Sequence, residues 1–327
     1  MLKTLTRAAF VASTSLMAPQ PTIAQDVAHK LPAPPINEEL SIPRHEIAVL
    51  DSTMSYLEQG EGEVVLFLHG NPSAAYLWRN VMPFVSENHR TIAVDLIGMG
   101  HSGKPDIEYR FADHARYLDA FVEAMGLERI TLVGHDWGAA LAWDFARRHP
   151  DEVVRLAFME GVLPPAFPQP SYEAMGEEMG GMFRAMRDPQ EGHRTIMENN
   201  KFVEQILPMM INRPLGDMAR SEYGLPYRQV EDRLPTWAWP REVPIEGEPA
   251  SSVTLMTDIQ SFMAETRMPV LLAYAEPGVL VPPLAVPFYT GLIQNLETAF
   301  VGQGLHFIQE DQPVAIGRAL ADWLRRK

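Results

Sequence analysis

The chain has 327 residues, of which 46% are hydrophobic and 21% charged, a composition that excludes a disordered or fibrous protein. Its 42 acidic and 27 basic residues give a formal net charge of -15, which disfavours nucleic acids and anionic membrane surfaces as partners because both are negatively charged. The sequence contains no cysteine, which excludes disulfide bonds, thiolate nucleophiles and cysteine-ligated metal centres.

The N-terminal segment 1–24 has the layout of a secretory signal peptide. Two cations precede the apolar run 8–18, which is too short to span a bilayer, and small residues follow up to Ala24. The alternative is an amphipathic tail without a targeting role. We predict cleavage near Ala24 and a periplasmic or secreted protein, in which the proline-rich residues 25–44 form an extended lead-in.

Apolar runs and helical patterns alternate along most of the remaining chain. The predicted strands, including an N-terminal hairpin, are 45–51, 54–58, 64–68, 91–95, 130–134, 153–159, 270–275 and 298–301. The predicted helices of the core are 77–86, 111–125, 139–148, 253–265, 284–292 and 313–326. This alternation predicts an α/β fold, with a mostly parallel eight-stranded sheet that is flanked by helices on both faces.

The alternation is interrupted by a long insertion that is rich in Pro, Met and aromatic residues and contains helical pieces at 173–186 and 194–207. We predict that the insertion, 162–249, forms a helical cap over the edge of the sheet where open α/β sheets bind ligands. The core is then divided by the cap into a first part, 45–161, and a second part, 250–327.

The strongest local motif is Gly-His-Asp-Trp-Gly at 134–138, between a predicted strand and a predicted helix. It matches the G-x-S-x-G nucleophile elbow, with Asp136 in the place of the serine. Because a carboxylate is already an anion, it attacks carbon directly and becomes an ester. An aspartate that only caps the helix is the alternative, but both glycines of the sharp turn are present. We therefore predict Asp136 as a nucleophile.

An ester on the nucleophile requires a base that activates water for its release. His306 follows the last predicted strand and is the best candidate, whereas the other histidines lie in the lead-in, on helix surfaces or in turns. Two acids could orient this histidine. Glu160 ends the strand after the elbow helix, and Glu276 follows the next strand. Glu160 is favoured, because a turn readily explains Glu276.

Asn71 and Trp137 offer neutral hydrogen-bond donors beside the predicted nucleophile. Donors of this kind suit a leaving group that departs as an anion, although an Asn before a Pro also fits a plain turn. No metal-ligand motif is found. The segment 98–103 matches G-x-G-x-x-G, but no helix is predicted to begin there, so we predict no cofactor site.

Taken together, these motifs resemble those of the haloalkane dehalogenases of the α/β-hydrolase superfamily, over nearly the whole chain from about residue 40. The segments that carry the resemblance are 69–72, 95–105, 134–138, 239–245 and 304–311. The resemblance implies that Asp136 is the nucleophile, His306 the base and Glu160 the acid. It also implies that Asn71 and Trp137 hold the halide.

The resemblance implies hydrolysis of carbon–halogen bonds in small haloalkanes to an alcohol, a halide ion and a proton, with no cofactor and no membrane span. The substrate pocket of such an enzyme is dry, and apolar side chains of the cap wall it. The cap residues expected to contribute, unless they serve only as the core of the cap, are Phe167, Phe183, Met186, Phe202 and Leu207.

Three alternatives remain at the level of sequence. An epoxide hydrolase shares the aspartate nucleophile and carries paired cap tyrosines, for which Tyr172, Tyr223 and Tyr227 are candidates. A luciferase-like oxygenase on the dehalogenase scaffold shares nearly all of these motifs. A binding protein with an inactive hydrolase fold would have a damaged triad, and the sequence shows no such damage.

Overall fold

A computed structural model describes residues 36–326. Its strands are β1 (Arg44–Val49), β2 (Ser52–Gln59), β3 (Val64–Leu68), β4 (Arg90–Val94), β5 (Ile130–His135), β6 (Val153–Met159), β7 (Val270–Pro277) and β8 (Leu296–Gly304). They form one eight-stranded sheet in the order β1-β2-β4-β3-β5-β6-β7-β8. Only the pairs β1–β2 and β2–β4 are antiparallel, whereas all other neighbouring strands are parallel. The predicted α/β fold with its mostly parallel sheet is confirmed.

The α-helices are α1 (Met82–Val85), α2 (Phe111–Ala124), α3 (Trp137–Arg148), α4 (Glu177–Arg187), α5 (Pro189–Gly192), α6 (Leu207–Met209), α7 (Asp217–Gly224), α8 (Leu234–Glu242), α9 (Ala250–Glu265), α10 (Val286–Leu292), α11 (Ile308–Asp311) and α12 (Pro313–Leu324). Short 3₁₀ turns occur at Ala75–Trp78, Glu173–Met175, Leu225–Tyr227, Glu231–Arg233 and Pro283–Ala285. Two further segments, His193–Glu198 and Phe202–Ile206, are π-helical.

Strand β3 illustrates why the central strands have no polar face. Leu66 and Leu68 pack into one hydrophobic cluster, and Val65 and Phe67 pack into a second cluster on the opposite face of the sheet. The whole strand is buried. A parallel sheet that is covered by helices on both faces requires apolar side chains on both sides of each strand. This is the reason why a continuous apolar run predicted the strand.

Three predicted helices are broken in the structure. In the stretch 173–186, Gly176, with a left-handed φ of 82°, separates the turn Glu173–Met175 from α4. The stretch 77–86 contains a 3₁₀ turn and the short helix α1 instead of one helix, and Pro83 lies at the start of α1. A proline lacks the N–H that would continue a helix entering from upstream. The stretch 194–207 is divided into two π-helical segments at Asn200, whose φ of 50° is left-handed. A residue in this conformation ends a right-handed helix.

The chain leaves the sheet after β6 and returns to it at β7. Among the described residues, the segment between β6 and α9 contains only helical elements and isolated bridges. The exact cap boundaries at 162 and 249 stay a prediction. The predicted signal peptide 1–24 lies outside the described residues, as does the lead-in before residue 36. Within the described part of the chain, no helix is long and apolar enough to cross a membrane.

Candidate active site

Four loops at one edge of the sheet bring the predicted site residues together. Asn71 follows β3, Asp136 follows β5, Glu160 follows β6 and His306 follows β8. Because these strands are parallel, their carboxyl ends meet at the same edge. Residues that are up to 235 positions apart in the sequence therefore become neighbours through the topology of the sheet.

The elbow depends on glycines that leave room for the backbone. Asp136 has a left-handed φ of 54° between β5 and α3. A Cβ atom on Gly134 would lie 2.5 Å from the Cα atom of Ala139, and one on Gly138 would collide with backbone oxygens at the end of β3. A side chain at Gly70 would occupy the place of the Asp136 carboxylate. The sharp turn thus presents this carboxylate at the edge of the sheet.

Donors surround the carboxylate of Asp136, whose residue is only 7% exposed. The backbone N–H of Asn71 donates to Oδ1 at 2.7 Å, and Nε2 of His306 lies 3.3 Å from Oδ2. Burial alone would raise the pKa of Asp136. Hydrogen bonds from His306 and from the backbone N–H of Trp137 lower this pKa, as does the positive charge of His306. These contacts outweigh burial, so the pKa lies below its usual value of 3.8. The carboxylate of Asp136 is therefore ionised at neutral pH.

Glu160 is fully buried and lies on the other side of the histidine ring. Its Oε2 atom is 3.3 Å from Nδ1 of His306. The backbone N–H groups of Val279 and Leu280 also donate to Oε2, at 3.0 and 2.8 Å, and that of Val281 donates to Oε1 at 3.1 Å. Three backbone donors and the imidazole of His306 therefore hold this carboxylate in place.

Glu276, the competing acid, lies elsewhere. It is exposed, and its Oε2 atom accepts a hydrogen bond from Gln303 at 3.4 Å. Glu160, which the sequence favoured, is the acid that the fold brings to His306. The strand–turn position of Glu276 resembles that of a catalytic acid, but the loop 279–281 after it folds back onto Glu160.

His306 lies between the two carboxylates and is largely buried. Burial lowers the pKa of its imidazole, but hydrogen bonds and charges of Asp136 and Glu160 outweigh burial and raise this pKa to about 9. The ring is therefore an imidazolium at neutral pH. His135, which the sequence did not single out for a role, donates its Nε2–H to the carbonyl oxygen of His306 at 2.9 Å.

Asn71 and Trp137 lie next to Asp136, and both side chains contact the predicted cap. The Nδ2 atom of Asn71 donates to the carbonyl oxygen of Thr236 at 3.1 Å. The Trp137 ring stacks on Trp239, with ring centroids 4.7 Å apart and an interplanar angle of 24°. Within residues 36–326, no protein group accepts a hydrogen bond from the Trp137 indole nitrogen, so this donor is available to a ligand in the pocket.

A pocket with an empty volume of about 610 Å³, which includes space open to solvent, lies beside Asp136. Its polar lining consists of the side chains of Asn71, Asp136, Trp137 and His306, and its other walls are apolar. The predicted cap residues that line it are Phe167, Phe183, Met186 and Phe202. Leu207, also predicted to line it, packs in the hydrophobic core instead.

Three methionines that line the pocket were missed by the sequence reasoning. Met179 and Met182 lie on α4, seven and four positions before Met186, and Met210 follows α6. The spacing of 179, 182 and 186 matches one helix face and could have revealed the first two. Methionine side chains are unbranched and adapt to ligands of irregular shape. The apolar wall on the α4 side of the pocket is therefore adaptable.

The candidate cap tyrosines of an epoxide hydrolase lie outside the pocket. Tyr172 lies beneath the guanidinium of Arg184, and the hydroxyl of Tyr223 donates to Glu310 at 2.5 Å. Tyr227 is fully buried. Among residues 36–326, no tyrosine lines this pocket. In the same range, no group of three or more His, Asp or Glu residues could hold a metal ion.

Comparisons with known proteins identify related sequences and structures. The alpha/beta hydrolase fold family matches residues 63–313. A haloalkane dehalogenase of Mesorhizobium japonicum is 43% identical over 282 residues, which cover 86% of this chain and 91% of the relative. One of Bradyrhizobium diazoefficiens is 43% identical over 298 residues, covering 88% and 96%. The crystal structure of a haloalkane dehalogenase from Bradyrhizobium elkani matches with a TM-score of 0.83 and 42% identity, covering 87% of this chain and 98% of that one.

Proposed function

Because the chain belongs to the haloalkane dehalogenase family of the α/β-hydrolase fold, we propose that Asp136, His306 and Glu160 carry out its hydrolysis of carbon–halogen bonds. The protein is a hydrolase of haloalkanes. The observation that carries the proposed roles is the chain of contacts from Asp136 through His306 to Glu160, with 3.3 Å at each step. These three side chains lie beside two neutral donors, Asn71 and Trp137, at the base of an apolar pocket.

In the first step, an oxygen of the Asp136 carboxylate attacks the carbon that bears the halogen. The new carbon–oxygen bond forms as the carbon–halogen bond breaks, and the halogen leaves with the bonding electron pair as halide. Asn71 and Trp137 direct side-chain N–H donors to the departing anion. An Arg or Lys in their place would pair with the nucleophile, whereas neutral donors stabilise the halide and leave the carboxylate free.

In the second step, His306 activates a water molecule that attacks the carbonyl carbon of the ester. The backbone N–H groups of Asn71 and Trp137, which contact the carboxylate in the free enzyme, stabilise the oxyanion. Esterification removes the charge of Asp136, so the pKa of His306 falls and the neutral imidazole becomes available as a base. Glu160 stabilises the imidazolium that forms. As the intermediate collapses, the bond to the alkyl oxygen breaks and this oxygen takes the proton from His306, which releases the alcohol and restores the carboxyl group of Asp136.

A paired assay of the purified protein tests this function. We expect release of bromide from 1-bromobutane and no formation of diol from styrene oxide, because no tyrosine lines the pocket in the described part of the chain to protonate an epoxide. Diol without halide would support the epoxide hydrolase instead. Light emission with an imidazopyrazinone substrate, without halide release, would support a luciferase-like oxygenase.

Replacing Glu160 by Gln is expected to lower the rate of bromide release by about 10³–10⁴-fold, because the histidine loses the charge that stabilises its imidazolium. The measurement is kcat for 1-bromobutane. The matched control is Glu276→Gln, which removes an exposed carboxylate near the end of β7 and should leave kcat unchanged. A larger loss in the Glu276 variant would reverse the assignment of the acid.

Replacing Trp137 by Phe is expected to lower kcat/KM by about 10–100-fold, because it removes one donor to a developing anion. The ring and its stack on Trp239 are kept. The inhibition constant for added bromide should rise in parallel. Trp143→Phe is the control, since it removes an indole N–H from a buried tryptophan on the same helix that lies outside the pocket lining. Equal effects of both substitutions would argue against a halide contact at Trp137.

We further propose that the protein is exported. The support comes from the sequence of residues 1–24, with its cations, short apolar run and small residues before Gln25. The absence of cysteine also suits an oxidising compartment. N-terminal sequencing of protein from the periplasmic fraction of the expression host should begin near Gln25. An intact Met1 on the active protein would refute cleavage.

A further inference from the structure

Backbone hydrogen bonds join the loop that carries His306 to the cap. The N–H groups of His306 and Phe307 both donate to the carbonyl oxygen of Met210, each at 3.1 Å. The side chain of Met210 lines the substrate pocket. Met210 of the cap therefore has two roles. Its side chain lines the space for the alkyl group, and its carbonyl oxygen holds the loop that carries His306.

A second set of hydrogen bonds joins the C-terminal end of the same loop, at Asp311, to the cap. The carboxylate of Asp311 accepts the backbone N–H groups of Asn212 and Arg213 in the cap, at 2.9 and 3.1 Å. It also accepts the N–H of Leu305, at 3.1 Å, at the beginning of the loop that carries His306. The segment 210–213 of the cap and the segment 305–311 of the core are thus joined along their length.

Between these two attachments lies the fully buried carboxylate of Glu310. Arg79 of the core binds both of its oxygens, at 2.6 and 3.0 Å. From the cap, the hydroxyl of Tyr223 donates to Oε1 and a guanidinium nitrogen of Arg213 donates to Oε2, both at 2.5 Å. Arg213 also donates to the carbonyl oxygen of Glu310 at 2.5 Å. We call Arg79, Arg213, Tyr223 and Glu310 the buried ion-pair cluster.

Such a cluster fixes geometry more than it adds stability. Removing buried charges from water costs several kcal/mol per ion, so that packed apolar side chains would join two segments at least as stably. A charged cluster with directional donors instead allows a single arrangement of its members. Its members come from the core, from the cap and from the residue four positions after His306.

We propose that Glu310, together with Arg213 and Tyr223 of the cap, positions His306 for hydrolysis of the ester intermediate. This inference rests on the proposed function. The first step requires only the carboxylate of Asp136, whereas the second requires Nε2 of His306 within hydrogen-bond reach of a water that faces the ester. A small displacement of the loop therefore slows the second step selectively. Glu310, Arg213 and Tyr223 are positioning residues, since none of them lines the pocket.

Rapid-quench kinetics with 1-bromobutane separate the two steps. Bromide release in the first turnover reports attack by Asp136, and butanol formation with the decay of the covalent ester reports hydrolysis. In Arg213→Gln we expect the rate constant of hydrolysis to fall about tenfold and that of bromide release to change by less than about twofold. Tyr223→Phe removes a single hydroxyl and should also lower the ratio of the rate constant of hydrolysis to that of bromide release. Arg213→Lys keeps a charge and should restore part of the loss.

The control is Arg184→Gln, which breaks an exposed Arg–Glu pair of the cap with Glu173 and should change neither rate constant. A purely structural role of the cluster would lower the melting temperature and leave the ratio of the two rate constants unchanged. That result in both Arg213→Gln and Tyr223→Phe, or an equal fall of both rate constants, would overturn the inference. If the wild-type enzyme forms no ester at all, the proposed function fails and not this inference alone.

Discussion

Replacing Asp136 by Ala is expected to lower the release of halide by on the order of 10⁴-fold or more, because the group that forms the covalent bond is lost. Among residues 36–326, Asp136 is the only carboxylate that lines the pocket, and Glu160 is held by three backbone N–H groups behind the histidine ring. The measurement is bromide release from 1-bromobutane at saturating substrate, with the melting temperature recorded alongside.

Asp144→Ala is the matched control for this variant. Asp144 lies on α3, the helix that Asp136 begins, and its buried carboxylate pairs with Arg147 and Arg148. Its removal should lower the melting temperature and leave halide release nearly intact. If Asp136→Ala keeps a tenth or more of the wild-type kcat, the covalent mechanism is wrong, and a water molecule activated directly by His306 would be the alternative.

The parts of the site that follow from local sequence could be predicted. The elbow is set by Gly134 and Gly138 within five residues of sequence, because the turn tolerates no Cβ at either position. The position of Asp136 at the end of a buried strand follows from the same motif. Glu160 could also be identified from the local sequence, because a charged residue at the end of an apolar strand is buried and therefore requires a hydrogen-bonding partner.

The parts that depend on contacts between distant segments could not be predicted. Glu160 and Glu276 both lie near the carboxyl ends of parallel strands, and the return of the loop 279–281 onto Glu160 distinguishes the two positions. The contacts of the cap segment 210–213 could not be predicted from its sequence. Its backbone groups form hydrogen bonds with the loop 305–311, which is distant in the sequence, and such bonds depend on the fold and not on the local side chains. The left-handed Asn200 that divides a predicted helix is likewise a result of packing, not of periodicity.

Replacing His306 by Phe is expected to stop the reaction after its first step. Phe preserves the ring next to those of His135 and Phe307, whose centroids lie 4.6 and 4.9 Å from that of His306. The charged Asp136 remains able to attack, although it loses the hydrogen bond that lowers its pKa. The variant should release about one equivalent of bromide per protein and then stop, because no base activates water for hydrolysis.

Mass spectrometry of the intact variant after exposure to 1-bromobutane should show one added butyl group, and digestion should place it on the peptide that contains Asp136. The double variant Asp136→Ala/His306→Phe is the control and should gain no mass. A bromide burst without added mass would mean that water, and not the carboxylate, displaces the halide. An adduct on any other residue would refute the assignment of Asp136. Because the adduct marks the attacking atom directly, this experiment separates nucleophilic from general-base catalysis, which rate measurements on the single variants cannot do.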